Sequence, residues 1–289
     1  MLSLLIAHII ITACCCWSGF LFYHLFSKQN VERPIIFYLI GGLILLTSIA
    51  QIIVLFFPVG LLTQLIVATI LLAAALAKWN DCRSLFKRFF IELSSWTSFS
   101  SVLFFLTWMV ILVINAGPTM MDDTESYHIQ SIKWIHEYGS VPGLVNLHER
   151  FGFNSSWFSS VALFSFSPGS TGGFTVLNSI LSTWLCYWFV SKYNQYKSGG
   201  KVQANVAGLI TFIACLLIWP LIRGNAATAN YDFITTTIVL ILFIEVFFSE
   251  KVSPSVEWII WPAYLFTVRV INFPLLLLGL FAFILIVKQ

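Results

Sequence analysis

Apolar residues run through this chain in blocks of about 20, the length that crosses a ~30 Å hydrocarbon layer, and polar residues collect between the blocks. Nine blocks can be read, at approximately 2–26, 34–57, 59–77, 97–116, 171–193, 203–221, 231–249, 255–270 and 273–288. They predict an all-α fold, a polytopic transmembrane helix bundle of about nine helices. Only 117–170 is a long segment outside the blocks. The chain therefore divides into 1–116 with membrane helices one to four, the 117–170 loop, and 171–289 with helices five to nine. The last block ends directly at Lys288-Gln289, which is compatible with a truncated C-terminal half.

The loop has a helical pattern of its own. Gly117-Pro118 ends the fourth block, Asp122, Asp123 and Thr124 offer N-cap oxygens, and Glu125 stands three residues after Asp122 as in a capping box. A helix from Thr124 to about Tyr138 puts Tyr127, Ser131, Trp134, Ile135 and Tyr138 on one stripe and Glu125, Lys133, His136 and Glu137 on the other side. That is the pattern of an amphipathic helix lying in a membrane interface. Gly139 supplies its stop, Val141-Pro142-Gly143 a turn, and Asn154-Ser155-Ser156 the cap of a short helix from Trp157 to Phe166. The run Pro168–Gly173 reads as a helix-entry loop, since no Lys follows and no strand precedes it, as a phosphate loop requires.

Composition agrees with the block pattern. Hydrophobic residues make up 59% and charged residues 9%, against roughly 25% charged in soluble domains. A net charge of +3 in short clusters excludes a nucleic-acid surface, and the six cysteines lack zinc or disulfide spacing. Ile11–Cys14 loosely resembles a lipoprotein processing site, but no Lys or Arg precedes it, so an ordinary first helix is expected. One set of alternate loops carries 11 of the 15 basic residues, among them Lys78, Arg83, Lys87 and Arg88 between the third and fourth blocks. The other four are Lys133, Arg150, Arg223 and Arg269. Because cytoplasmic loops are enriched in Lys and Arg, the N-terminus and 117–170 are expected outside and the C-terminus inside.

On that outer face Asp122, Asp123, Glu125, His128, His136, His148, Glu149 and Arg150 lie close in sequence. Acid/base chemistry needs a carboxylate or imidazole of tuned pKa, which burial at an apolar interface supplies. Asp122 or Asp123 would serve equally as a helix cap, and His128 as a loop hydrogen-bonding group. Oxygen ligands of this kind also suit Mg or Mn, although no DxD spacing marks a site. Arg223, Asp232 and Arg269 fall at helix ends near the same face, where an Arg is either a snorkelling anchor or a bidentate phosphate clamp.

A denser pattern runs through Asp123-Thr124, Tyr127-His128-Ile129-Gln130, Lys133-Trp134-Ile135, Val141-Pro142-Gly143-Leu144, Asn146-Leu147-His148, Arg150 and Phe153-Asn154-Ser155-Ser156-Trp157. Thr228–Asp232 and Thr267-Val268-Arg269 are weaker echoes. Together these residues resemble a bacterial group of multi-pass proteins in the GT-C superfamily, the glycosyltransferases that use lipid-phosphate-linked sugars. The resemblance implies a GT-C-like bundle in the bacterial inner membrane and an outer-loop Asp that acts as base on an acceptor hydroxyl or binds a metal. By residue-for-residue match it implies Asp123, in preference to Asp122, as that residue, Asp232 as a second carboxylate, and Arg269, with Arg150 or Arg223, at the donor phosphate. His128 and Asp122 complete the candidate catalytic set and Tyr127, His148 and Asn154 the candidate substrate contacts, with no assigned metal ligand. The implied partners are the lipid bilayer, a polyprenyl-phosphate-linked sugar donor and a glycan or lipid acceptor of surface polysaccharide. A surface-polysaccharide polymerase, a lipid-linked glycan flippase or transporter, and a non-catalytic scaffold are the alternative readings.

Overall fold

The computed structural model describes residues 1–26, 33–152, 154–165, 171–197, 208, 223–247 and 255–287. The expected sixth block (203–221, apart from Gly208), Phe153 of the motif and residues 166–170 of the glycine-rich run lie outside the described residues. The described residues are all-α, with no strand among them. The helices are α1 (Leu2–Phe26), α2 (Ile35–Val54), α3 (Leu61–Ala77), α4 (Trp79–Ser94), α5 (Ser98–Asn115), α6 (Ile129–Tyr138), α7 (Ser156–Phe164), α8 (Thr171–Lys197), α9 (Tyr231–Phe247), α10 (Glu257–Val268) and α11 (Leu275–Val287).

Among them α1, α2, α5 and α8 are long and apolar enough to cross a membrane, and a fifth span exists if α3 and α4, bent by 97° at their junction, are counted together. The expected eighth and ninth spans correspond to α10 and α11, of only 12 and 13 residues. At 1.5 Å per residue each reaches roughly 20 Å, short of a full crossing. The shortening has a local cause. Arg269 leaves α10 in an extended conformation (φ −154°, ψ 125°) and a 3-10 turn, Val270–Asn272, separates it from α11.

The basic connection between the third and fourth blocks is also more than a loop. It forms α4, which buries Cys82 and Leu85, rests Phe86, Phe89 and Leu93 on the core, and leaves Arg83 and Lys87 exposed. Such a helix, apolar on one side and basic on the other, suits a membrane surface.

The distribution of burial is what a hydrocarbon surround requires. The most apolar stretch of α8 is 94% buried, which makes α8 the central helix, whereas α5 has a mean hydropathy of 2.0 and is only 28% buried. Apolar surface this extensive is rare on soluble monomers and carries no cost against lipid. Where helices touch, small residues bring backbones together. A Cβ on Gly19 would lie 1.8 Å from the Tyr38 carbonyl oxygen, and one on Gly42 the same distance from that of Cys15, so α1 and α2 pack at backbone contact. Polar side chains bridge the remaining seams. Thr47 and Ser160 hydroxyls meet at 2.6 Å, Gln51 donates to Ser159 at 2.8 Å, and Gln64 donates to the carbonyls of Ala162 and Ser165. These bonds hold the short, wholly buried α7 against α2 and α3.

Candidate active site in the 117–170 segment

The segment enters its helix at Asp122, widens into a π-helical turn over Thr124–His128, and continues as α6. Two backbone contacts fix the turn to the 225–230 connection: the Met120 amide donates to the Ala227 carbonyl at 3.3 Å, and the Ala229 amide to the Thr124 hydroxyl at 3.4 Å. The expected capping box does not form. Asp123 is already helical and makes no cap bond, the Thr124 amide donates to the Met121 carbonyl, and Glu125 takes the Thr119 hydroxyl instead. The expected stripe is rephased as well. Thr124, Tyr127, His128, Ile129 and Ile132 are buried, while Tyr138 is 62% exposed. An α-helix advances ~100° per residue, and a π turn inserts an extra residue into that count. The stop at Gly139 does form, with φ 78° and the Ser140 amide bonded to the Val54 carbonyl at 2.9 Å.

Two matching units converge on this turn. The Asp123 carboxylate accepts from the Arg150 guanidinium, which lies 5.4 Å over the Tyr127 ring. The Asp232 carboxylate accepts from the Arg269 guanidinium, which lies 5.4 Å over the Tyr231 ring. The two tyrosine hydroxyls meet at 3.5 Å. Aspartate, arginine and tyrosine thus occur twice, back to back, from four separate elements: the π turn, the 3-10 turn Glu149–Gly152, the start of α9 and the end of α10.

Each element is held by bonds that the sequence can be seen to supply. The His148 Nδ1 accepts from the Arg150 amide at 3.1 Å, so His148 braces the Arg150 turn. Asn230 Oδ1 caps α9 through the Asp232 amide at 3.0 Å, and Asn178 from α8 holds the Asn230 carbonyl at 3.0 Å. Ser155 caps α7 by accepting from the Trp157 amide and donates to the Val268 carbonyl at 2.8 Å. Asn272 donates to the Leu265 carbonyl at 2.8 Å and the Thr235 hydroxyl at 3.2 Å, which sets Arg269 against α9.

The charged side chains of both pairs are 43 to 49% exposed. Ion pairs so exposed contribute at most ~1 kcal/mol each, so stability does not account for them. Their guanidinium groups keep donors toward solvent, in the forked geometry that matches phosphate oxygens.

Beneath the pairs lies His128, 2% exposed, boxed by Tyr127, Phe158 and Tyr231 at ring-centre distances of 4.3, 5.3 and 5.4 Å. Neither ring nitrogen has a hydrogen-bond partner among the described residues. Burial lowers its pKa from 6.5 to about 4, against the opposing pull of Asp123 and Asp232, so the imidazole is neutral at pH 7. Burial and the bond to Tyr231 push the Tyr127 phenol up. Desolvation pulls Arg269 down, but its bond to Asp232, the charge of that carboxylate and the nearby Tyr231 and Tyr127 together outweigh it, and the net displacement is upward.

The structure therefore brings together Asp123, Tyr127, His128, Arg150, Asp232 and Arg269, with His148 as a brace. Asp122 and Arg223 are exposed and make no hydrogen bond or ion pair to a described residue. Asn154 lines a separate cavity of about 260 Å³ beneath α6, with Gln51, Ser131, Trp134 and Ser159; Phe158 forms the wall between that cavity and His128. Tyr231 and Phe158 escaped the sequence reading as site residues, although Tyr231 precedes Asp232 within the echo motif. Among the described residues no group of three or more His, Cys, Asp or Glu side chains could hold a metal. Both key carboxylates face guanidinium groups, so the donor set does not fit Mg or Mn.

A family model described as Domain of unknown function (DUF8201) matches residues 1–289, and the chain belongs to that family. No curated protein matches the chain, and no solved structure does.

Proposed function

We propose that this protein is a membrane glycosyltransferase that moves a sugar from a polyprenyl-phosphate donor to a lipid-linked glycan or other envelope acceptor on the outer face of the bacterial inner membrane. The observation that carries the reading is the pair of Asp–Arg–Tyr units meeting at the tyrosine hydroxyls. Without substrate each arginine is neutralised by its own aspartate. A donor phosphate offers the guanidinium groups a bidentate partner and frees the carboxylates. Asp123 then takes the proton of the acceptor hydroxyl as that oxygen bonds to the anomeric carbon. The bond from that carbon to the phosphate oxygen breaks, and the polyprenyl phosphate leaves with the electron pair, its charge stabilised by Arg150 and Arg269. His128, neutral and buried, holds the tyrosine rings in place.

The test is Asp123→Asn in the native host, followed by surface glycan measurement. Loss of the glycan at unchanged protein level is expected. Unchanged glycan in a strain with no redundant enzyme would remove Asp123 from catalysis.

A further inference from the structure

At the end of the bundle away from Asp123, two cavities adjoin. One is an apolar slot of about 430 Å³ between α1, α4, α5 and α8, with walls that include Ile9, Ala13, Phe89, Phe105, Trp108 and Trp184. The other is a polar chamber of about 720 Å³ whose lining includes Glu92, Ser191, Lys192, Asn194 and Lys197. Ile35 and Tyr187 line both.

The slot offers nothing to water. His8 is its most polar wall residue, and both its nitrogens are engaged, Nδ1 by the Trp108 indole at 3.1 Å and Nε2 by the Ser179 hydroxyl at 2.7 Å. The Thr12 hydroxyl accepts from the Trp184 indole at 2.9 Å. Water needs two or more polar partners to occupy a cavity, so an apolar chain is the favoured occupant. The slot is also open to such chains. Ile9, Phe90 and Phe105 at its edge are 55, 64 and 50% exposed, and beside it α5 presents an apolar outer surface and α4 the exposed Ile91. The chamber has the opposite character. Lys192, paired with Glu245 at 2.7 Å, and Lys197 supply positive charge at the end of α8. At the border the Tyr187 hydroxyl is buried without a hydrogen bond of ordinary geometry, although the Glu92 carboxylate is near it.

We propose that the slot and chamber form a binding site for one glycerophospholipid of the surrounding bilayer. One acyl chain fills the slot between α4 and α5, and the phosphate end lies in the chamber near Tyr187 and Lys192. The basic helix α4 forms the near wall and meets the same leaflet through Arg83 and Lys87, which an anionic surface attracts. This site is independent of the chemistry assigned to the opposite end.

The experiment uses the full chain in nanodiscs containing phosphatidylglycerol with a diazirine near the end of one acyl chain. After irradiation, crosslinks are mapped by peptide mass spectrometry. Label concentrated on the Ile9–Ala13 and Phe104–Trp108 segments is expected. Ile9→Trp, which fills the mouth from an exposed position, should lower that label several-fold, while Leu280→Trp on the exposed face of α11 should leave it unchanged; matching melting temperatures establish that both variants fold. Label spread evenly over the exposed faces of α3, α5 and α11, or no response to Ile9→Trp, overturns the proposal. So does a slot labelled only by a photoactivatable prenyl phosphate and not by the phospholipid.

Discussion

His128 gives the sharpest physical prediction. Its pKa is 6.5 when unperturbed and about 4 in the folded protein, because burial disfavours the imidazolium. The unfolded chain therefore binds more protons between these values, and stability contributed by the neutral ring is complete above pH 6.5 and lost as pH falls toward 4. The interval from 6.5 to about 4, at ~1.4 kcal/mol for each pH unit, makes the loss ~3 kcal/mol. His128→Phe keeps a ring against Tyr127, Phe158 and Tyr231, and it removes both unpartnered nitrogens together with the titration. The assay is thermal unfolding in detergent, followed by tryptophan fluorescence from pH 7 to pH 4 for both proteins. Other carboxylates titrate in both, so the difference between the two curves isolates His128. The variant should gain on the wild type by ~3 kcal/mol across that range. Parallel curves would refute the claim that His128 is buried and neutral. If surface glycan falls in a variant this stable, the histidine is retained for function rather than for folding.

Three further outcomes follow from other contacts. Arg269→Ala removes an exposed ion pair and should cost at most ~1 kcal/mol of stability by thermal unfolding, yet it should abolish surface glycan, with Arg269→Lys intermediate because the fork is lost and the charge kept. Ser155→Ala takes away the cap of α7 and its bond to the Val268 carbonyl, and should lower stability by ~1–2 kcal/mol on the same measurement. Glu257 is 1% exposed and paired with Arg33, so Glu257→Ala should destabilise by ~3–5 kcal/mol, enough to lower the yield of folded protein in size-exclusion chromatography.

What the sequence revealed of the fold tracks the strength of the local signal. Long apolar runs become α1, α2, α5 and α8, and Gly139 and Ser155 act as the stop and the cap their residue types suggest. The runs near the C-terminus are equally apolar but end in shorter helices, because the extended Arg269 breaks the chain where hydropathy continues. Helix α4 was concealed differently. Trp79, Cys82, Phe86, Phe89 and Leu93 follow helical spacing, but Arg83, Lys87 and Arg88 among them, with Lys78 just before, make the stretch look like a topological marker alone. For the site, local grouping was informative and long-range pairing was not. Asp123 and Arg150 lie 27 positions apart, Asp232 and Arg269 lie 37 apart, and nothing in either segment says which cation serves which carboxylate. Arg223 carries the same charge near the same face and joins neither pair among the described residues.

The π turn is the feature that no residue pattern announced, and the arrangement depends on it. Tyr127, His128 and Ile129 are consecutive and all buried. In an uninterrupted α-helix neighbours point ~100° apart, so three in a row spread over ~200° of the helix surface. The wider turn narrows that spread. It allows Tyr127 to reach Tyr231 and His128 to enter the box below, while Asp123, just before the turn, stays at the surface with Arg150. Its looser hydrogen bonding is tolerated because the Met120 amide and the Thr124 hydroxyl tie the segment to residues 227 and 229, respectively. Such turns recur at functional sites for this reason: they place side chains where a regular helix cannot. Here that places a carboxylate in solvent, a phenol at the seam and an uncharged imidazole in the interior within six residues of chain, 123–128.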